Sequence, residues 1–202
     1  LLELSYSKAI DLKEEIQAIS REFVTPEMPV STIIQKCNEY IFNSFKYIKG
    51  ITTVETTTKE ILKHRSGVCQ DFAHVMLEIL RSLGIPSRYV SGYICPNKTG
   101  MRGEGATHAW VEAWVPMKGW VGMDPTNNVW ATNHHVKLAV GRDFYDCSPV
   151  KGTFKGPARQ SLSVYVSVSY EDGYSFQELN NVRMEAISGS EEIPDLESFA
   201  GQ

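Results

Sequence analysis

A thiol, an imidazole and a carboxylate stand in this sequence where simple folding could bring them together: Cys69, His108 and Asp124. A cysteine nucleophile reacts as its thiolate, so it needs a base to take the proton and a third group to hold that base. Cys69 falls at the predicted N-terminus of the strongest helical pattern in the chain, ahead of the apolar stripe and not within it. Unpaired backbone N–H groups and the positive end of the helix dipole favour an anion there. Gly67, two residues earlier, lets the backbone turn sharply and leaves room for a substrate. Position alone leaves a second reading open, in which Cys69 is a small buried residue at a helix start.

His108 begins an alternating segment, and Asp124 ends the next one, just before Pro125. A hairpin sets the start of one strand beside the end of its partner, so the two side chains are expected at the same sheet edge. If the Cys69 helix crosses that sheet with its N-terminus at this edge, the order becomes nucleophile, base, orienter. Taken singly, His108 reads equally well as an ordinary sheet histidine and Asp124 as a turn residue. Their joint occurrence with a helix-start cysteine shifts the balance.

The elements that must position these residues are legible as periodicity. Ser7 is placed to cap a helix carrying Ile10, Ile16, Ile19 and Phe23, broken by Pro26 and Pro29. Ser31 opens a second, with Ile34, Cys37 and Ile41 on one face. Thr57 and Glu60 have capping-box spacing for a short third. The fourth starts at about Gly67 and Val68; Phe72, Val75, Met76, Ile79, Leu80 and Leu83 form its stripe, and Gly84 and Pro86 end it. Strand patterns then take over at 88–94 and 107–115, with His108, Trp110, Glu112 and Trp114 on one face and Ala109, Val111, Ala113 and Val115 on the other. Lys118-Gly119 turns into Trp120-Val121-Gly122-Met123, and 162–169 reads as a late strand with one buried face. Residues 96–106, with three glycines, read as a loop directly before His108. Helices first and strands afterwards predict an α+β fold with N-terminal helices packed on an antiparallel β-sheet. The domain is expected over 1–170, followed by an acidic C-terminal tail over 171–202.

The 202 residues carry a net charge of −4, which gives no reason to expect a nucleic-acid partner. The basic stretch through Lys137, Arg142, Lys151, Lys155 and Arg159 is interrupted by polar residues and reads as a solvated face. No apolar run approaches a membrane span, so no membrane partner is expected. The four cysteines (Cys37, Cys69, Cys95, Cys147) form no CxxC pair and no zinc spacing. Free thiols in a reducing, cytoplasmic setting are the simpler reading, with two disulfides as the alternative. His64, His74, His134 and His135 match no metal spacing, and neither metal nor cofactor is expected. The side chains of His134 and His135 point to opposite sides if that segment is extended. The chain begins at Leu1 instead of Met, which suggests a fragment or processed form.

Four ordered motifs resemble one family. Ser66-Gly67-Val68-Cys69-Gln70-Asp71-Phe72-Ala73 is similar to the cysteine motif of the transglutaminase-like superfamily, and Gly84-Ile85-Pro86-Ser87-Arg88-Tyr89-Val90-Ser91-Gly92-Tyr93 to the segment after it. Thr107-His108-Ala109-Trp110-Val111-Glu112 resembles the histidine motif, and Gly119-Trp120-Val121-Gly122-Met123-Asp124-Pro125-Thr126-Asn127 the aspartate motif. The resemblance covers roughly residues 55–127, and the segment from Gly141-Arg142-Asp143 to Gly152 also looks like bacterial members.

The resemblance implies a papain-like cysteine proteinase fold and a Cys69–His108–Asp124 triad acting through a thioester acyl-enzyme. Water as acceptor gives amide or peptide-bond hydrolysis of a protein or peptide substrate; a lysine amine gives transglutaminase cross-linking. A binding domain with this fold and no turnover is the third reading, which an intact triad argues against. The Cys69 backbone N–H is a natural oxyanion donor, but a second is not evident, because no glutamine lies shortly before the nucleophile. Tyr47, Gln70 and Trp110 are the candidates for oxyanion or substrate contacts, with core packing the competing reading for Tyr47 and Trp110. Asp71 is expected to brace the helix start. The pattern does not fix oligomeric state.

Overall fold

The computed structural model describes residues 12–53, 56–95, 101–102, 107–149 and 152, together with strands at 164–169 and 175–180. Ser7 and Ile10, the expected cap and first apolar residue, lie outside them. Helix α1 (Lys13–Arg21) buries Ile16 and Ile19 and carries Glu14 and Glu15 in its first turn, where the helix dipole favours them. Helix α2 (Val30–Ser44) follows Pro29 and buries Ile34, Cys37 and Ile41. The short strand β1 (Lys46–Tyr47) comes next, then α3 (Thr58–His64). The Thr57 hydroxyl accepts from Glu60 N–H while Glu60 Oε2 accepts from Thr57 N–H, the reciprocal cap anticipated from their spacing. Strand β2 (Ser66–Gly67) then runs parallel to β1, with Tyr47 opposite Gly67.

Helix α4 (Cys69–Ser82) is the centre of the molecule. Phe72, Ala73, Val75, Met76, Leu77, Ile79 and Leu80 are all buried, because α1, α2 and α3 cover one side and the sheet the other. It ends in a Schellman motif: Ile85 N–H donates to Leu80 C=O and Gly84 N–H to Arg81 C=O, each at 2.9 Å. Gly84 takes φ +72°, which only glycine adopts without strain.

The sheet comprises β3 (Ser87–Ile94), β4 (Thr107–Val115), β5 (Gly119–Asp124), β6 (Val129–Trp130) and β7 (His135–Gly141). Its order is β6-β5-β4-β3-β7, antiparallel throughout. Ala109, Val111 and Ala113 belong to the core shared with α4, and the two alanines let the helix come close. On the other face Glu112 bridges two cations: Oε2 accepts from Arg88 at 2.6 Å and Oε1 from Lys137 at 2.5 Å. Arg88 also lies over the Trp120 ring. Lys137 is therefore a partner in the sheet and not merely part of a solvated face; Lys151, Lys155 and Arg159 lie outside the described residues.

After β7 comes α5 (Phe144–Cys147), capped by Asp143 Oδ1 on Tyr145 N–H. Strands β8 (Val164–Ser169) and β9 (Ser175–Asn180) pair antiparallel, and β9 falls within the segment expected as an acidic tail over 171–202. The side chains expected to give β8 a buried face are not among those described. Among the described residues, no helix is long and apolar enough to cross a membrane.

Candidate active site

Cys69 is the first residue of α4, entered from Val68 in extended conformation. The first N–H groups of a helix have no intrahelical acceptor. Asp71 braces this start: its Oδ2 accepts from Val68 N–H at 2.8 Å and from the Thr52 hydroxyl at 2.6 Å. Burial raises the Asp71 pKa from its ordinary value, against the lowering effect of these two donors. A Cβ at position 67 would lie 2.4 Å from Asp71 Oδ2, so the glycine makes room for this brace.

His108 is the second residue of β4 and Asp124 closes β5, and the hairpin brings them together as the sequence predicts. His108 Nε2 lies 2.9 Å from Asp124 Oδ2, and both side chains are fully buried. Thr126 N–H donates to Asp124 Oδ1 at 2.9 Å, and Asn127 Nδ2 donates to Oδ2 at 2.8 Å. Burial opposes the Asp124 charge, but His108 and the donors around the carboxylate hold its pKa well below the usual range. Burial likewise opposes protonation of His108. The Asp124 carboxylate and Cys69 outweigh it and hold the ring at about 10, so Cys69 is close enough to act on the imidazole. An ionised Asp124 only accepts, so Nε2 of His108 carries the hydrogen and Nδ1 is left as the basic nitrogen. Nδ1 is buried and, among the described residues, has no hydrogen-bond partner.

All four cysteines are free; Cys37, Cys95 and Cys147 are buried, and Cys69 is the partly accessible one. Burial pushes the Cys37 thiol up, and burial with Asp146 and Asp143 pushes Cys147 to about 11. Tyr47 is half-buried beside the entry to α4, edge-on to Phe72 at 6.3 Å. Gln70 is half-buried in the first turn of α4. Trp110 is buried at 2 % exposure, stacked beside His108 at 6.4 Å and edge-on to His135 at 5.2 Å. It sits under the site and does not line an open groove. Among the described residues, no group of three His, Cys, Asp or Glu side chains is arranged to hold a metal ion.

Sequence reasoning missed two residues. Asn127 is one; it also clasps residue 102 through both its amide atoms, accepting from Arg102 N–H at 2.7 Å and donating to Arg102 C=O at 3.1 Å. Its position three residues after Asp124 in a Pro-containing turn was the available signal. The other is His135, whose Nε2 lies 3.2 Å from Asp124 Oδ2. No local pattern marks it, since β7 is separated from β5 by two strands.

A helix-start cysteine and a carboxylate-held histidine on an antiparallel sheet define the papain-like thiol-enzyme architecture. The family model of the transglutaminase-like superfamily matches residues 17–125, and the chain belongs to that superfamily. An uncharacterised protein of Mycobacterium leprae is 44% identical over 126 residues, covering 61% of this chain and 44% of its own. A protein-glutamine gamma-glutamyltransferase of Pseudomonas aeruginosa is 33% identical over 109 residues, 52% of this chain and 16% of that protein. Among solved structures, a candidate cysteine protease from Cytophaga hutchinsonii shares the fold with a TM-score of 0.62 at 23% identity, covering 98% of this chain and 61% of its own. The chain spans about half the length of the curated mycobacterial relatives it matches.

Proposed function

We propose that this protein is a cysteine-dependent amide hydrolase of protein or peptide substrates, with Cys69 as nucleophile, His108 as base and Asp124 as orienter. The observation that carries the reading is the state of the His108 ring. Its Nε2 is committed to Asp124, and its Nδ1 is the nitrogen left to hold the proton it shares with Cys69, which acts on the same ring and favours its protonated form. The proton shared by Cys69 and His108 rests on Nδ1, and the sulfur attacks the amide carbon as the thiolate. Collapse of the tetrahedral adduct breaks the C–N bond, with the proton on Nδ1 going to the leaving amine. A thioester remains. Water, losing a proton to Nδ1, adds its oxygen to the acyl carbon; the C–S bond breaks, and the thiolate and protonated ring are restored. Backbone N–H groups at the start of α4 are suited to the oxyanion. Tyr47 and Gln70, both beside that start, are proposed as substrate contacts.

Amine transfer is the second reading, favoured by the similarity to the Pseudomonas gamma-glutamyltransferase. It shares every step up to the thioester and differs only in the acceptor. A glutamine peptide offered with a fluorescent amine separates the two. Ammonia release without label incorporation supports hydrolysis, and incorporation supports transfer. Iodoacetamide is expected to label Cys69 well before the other three thiols, with the rate lost in His108→Ala. Uniform labelling, or a Cys69→Ala protein that retains turnover, overturns the proposal.

A further inference from the structure

His135 stands outside the three residues assigned above, yet it touches the same carboxylate oxygen as His108. Its side chain is 1% exposed. Its Nδ1 accepts the Thr132 N–H at 3.2 Å, so the ring hydrogen must sit on Nε2, aimed at Asp124 Oδ2. The tautomer is thus set by the backbone. The other donors to Asp124, Thr126 N–H and Asn127 Nδ2, come from the turn that follows it and move with it. His135 comes from β7, on the far side of β3 and β4 from β5.

The chain reaches across by a specific route. Ala131 N–H donates to Gly122 C=O and Cys95 N–H to His134 C=O, which fixes the segment before β7 to β5 at one end and to the end of β3 at the other. A Cβ on Gly92 would lie 2.1 Å from the Val136 carbonyl oxygen and 2.7 Å from the Trp110 ring, so the bare glycine lets β7 and Trp110 close around the site. The β3–β7 register shifts at this same place, between Ser91 and Gly92. Trp110 then presents its face alongside His108 and meets His135 at a T-shaped angle.

We propose that His135 is a positioning residue, whose backbone-locked Nε2–H ties Asp124 to the far edge of the sheet and so holds Oδ2 on His108. The inference rests on the reading of Asp124 and His108 given above. It makes the site a two-histidine, one-carboxylate arrangement in which only one histidine moves a proton. Without the His135 donor, Asp124 keeps His108 itself and the donors of its own turn, one of them clasped to residue 102, but loses its tie to the far edge of the sheet, and the His108 ring loses its fixed direction towards Cys69.

The test compares His135→Phe, which keeps a flat ring against Trp110 and removes the donor, with His135→Gln, which keeps an N–H donor. Iodoacetamide alkylation of Cys69 is expected to slow about 10- to 100-fold in His135→Phe and to stay within about threefold of the parent in His135→Gln. Nitrogen-edited NMR of the histidine rings gives a second readout that needs no turnover. The parent is expected to show His135 as the Nε2–H tautomer, and a sharp, slowly exchanging His108 Nε2–H signal that His135→Gln keeps and His135→Phe loses. An Nδ1–H tautomer at His135 in the parent overturns the inference even if neither variant folds. So does a His135→Phe protein with both readouts intact, or equal loss in the two variants. If the NMR results hold but no thiol is preferentially alkylated and no amide is cleaved, the positioning role stands and the hydrolase reading fails.

Discussion

Asp124→Asn removes one charge and leaves the shape of the site almost unchanged. The amide can sit in two orientations. With its nitrogen at the Oδ2 position it opposes three donors, from His108, His135 and Asn127. With its oxygen there it opposes only one, Thr126 N–H at the other position. The second orientation wins, and the variant keeps the His108 ring direction and tautomer. What it loses is the charge, together with about 1–3 kcal/mol for the stranded Thr126 N–H. The parent ring lies at about 10 against an ordinary 6.5, a preference for the protonated form of about 5 kcal/mol, of which Asp124 is the leading favourable cause. Once the carboxylate is gone, burial dominates, and the His108 midpoint is expected below about 7. Loss of that stabilisation of the imidazolium caps the slowing at roughly 1,000- to 10,000-fold in turnover. The assay is an NMR titration of the His108 ring beside the alkylation rate of Cys69. A midpoint that stays near 10, or an unchanged alkylation rate, refutes Asp124 as the charge that holds the ring.

The same pair shapes stability against pH. The His108 pKa is raised on folding, so its contribution is fully present below 6.5 and fades as pH rises through about 10. The Asp124 pKa is lowered, so its contribution is present above 3.8 and fades as pH falls. Melting curves are expected to be highest between about pH 4 and 6.5, with a weaker acid limb in Asp124→Asn; an identical limb contradicts this. Gly92→Ala is expected to lose at least about 1–3 kcal/mol in urea unfolding, because backbone and Trp110 occupy the Cβ position; a neutral result shows that β7 can yield. Arg88→Ala is expected to cost about 1–2 kcal/mol, since the guanidinium makes two bonds to Glu112 and covers Trp120. Lys137→Ala, whose side chain is 45% exposed, is expected to cost under about 1 kcal/mol, and a reversed order argues against this ranking.

Much of the fold was legible because the decisive signals are local. The Thr57 and Glu60 cap, the Gly84 terminus of α4 and the alternation of β4 each depend on neighbours within a few residues, and each forms as expected. β7 was missed although Val136, Leu138 and Val140 recur at alternate positions; in the structure this apolar set is exposed while the His135 side chain is buried, so the alternation does not mark the face that carries the site. β9 was hidden in an acidic segment for a related reason: its partner is β8, and pairing rather than periodicity defines it. The packing of Gly67 against Asp71 was not legible, because that carboxylate is brought to it by a helix turn.

The site divides along the same line. His108 and Asp124 belong to one hairpin; its register, extended by one pair, sets Asp124 opposite Trp110, with His108 two residues along the same face and within reach. Asn127 links Asp124 to residue 102, just ahead of that hairpin; tying Asp124 to the opposite edge of the sheet needs a residue from a strand there. His135 is that residue, and its side chain was expected to oppose that of His134 across an extended strand. The reason is physical: His134 precedes β7, and its carbonyl is turned to accept from Cys95 N–H. The geometry at His135 is set by the turn before it, in which His135 N–H donates to Thr132 C=O and Thr132 N–H donates to His135 Nδ1, and alternation cannot express that. A hairpin supplies a carboxylate next to a base, and closure of the sheet around Gly92 holds that carboxylate still. The first property is written in the spacing of two motifs. The second depends on a glycine, a tryptophan and a histidine whose separations in sequence carry no pattern.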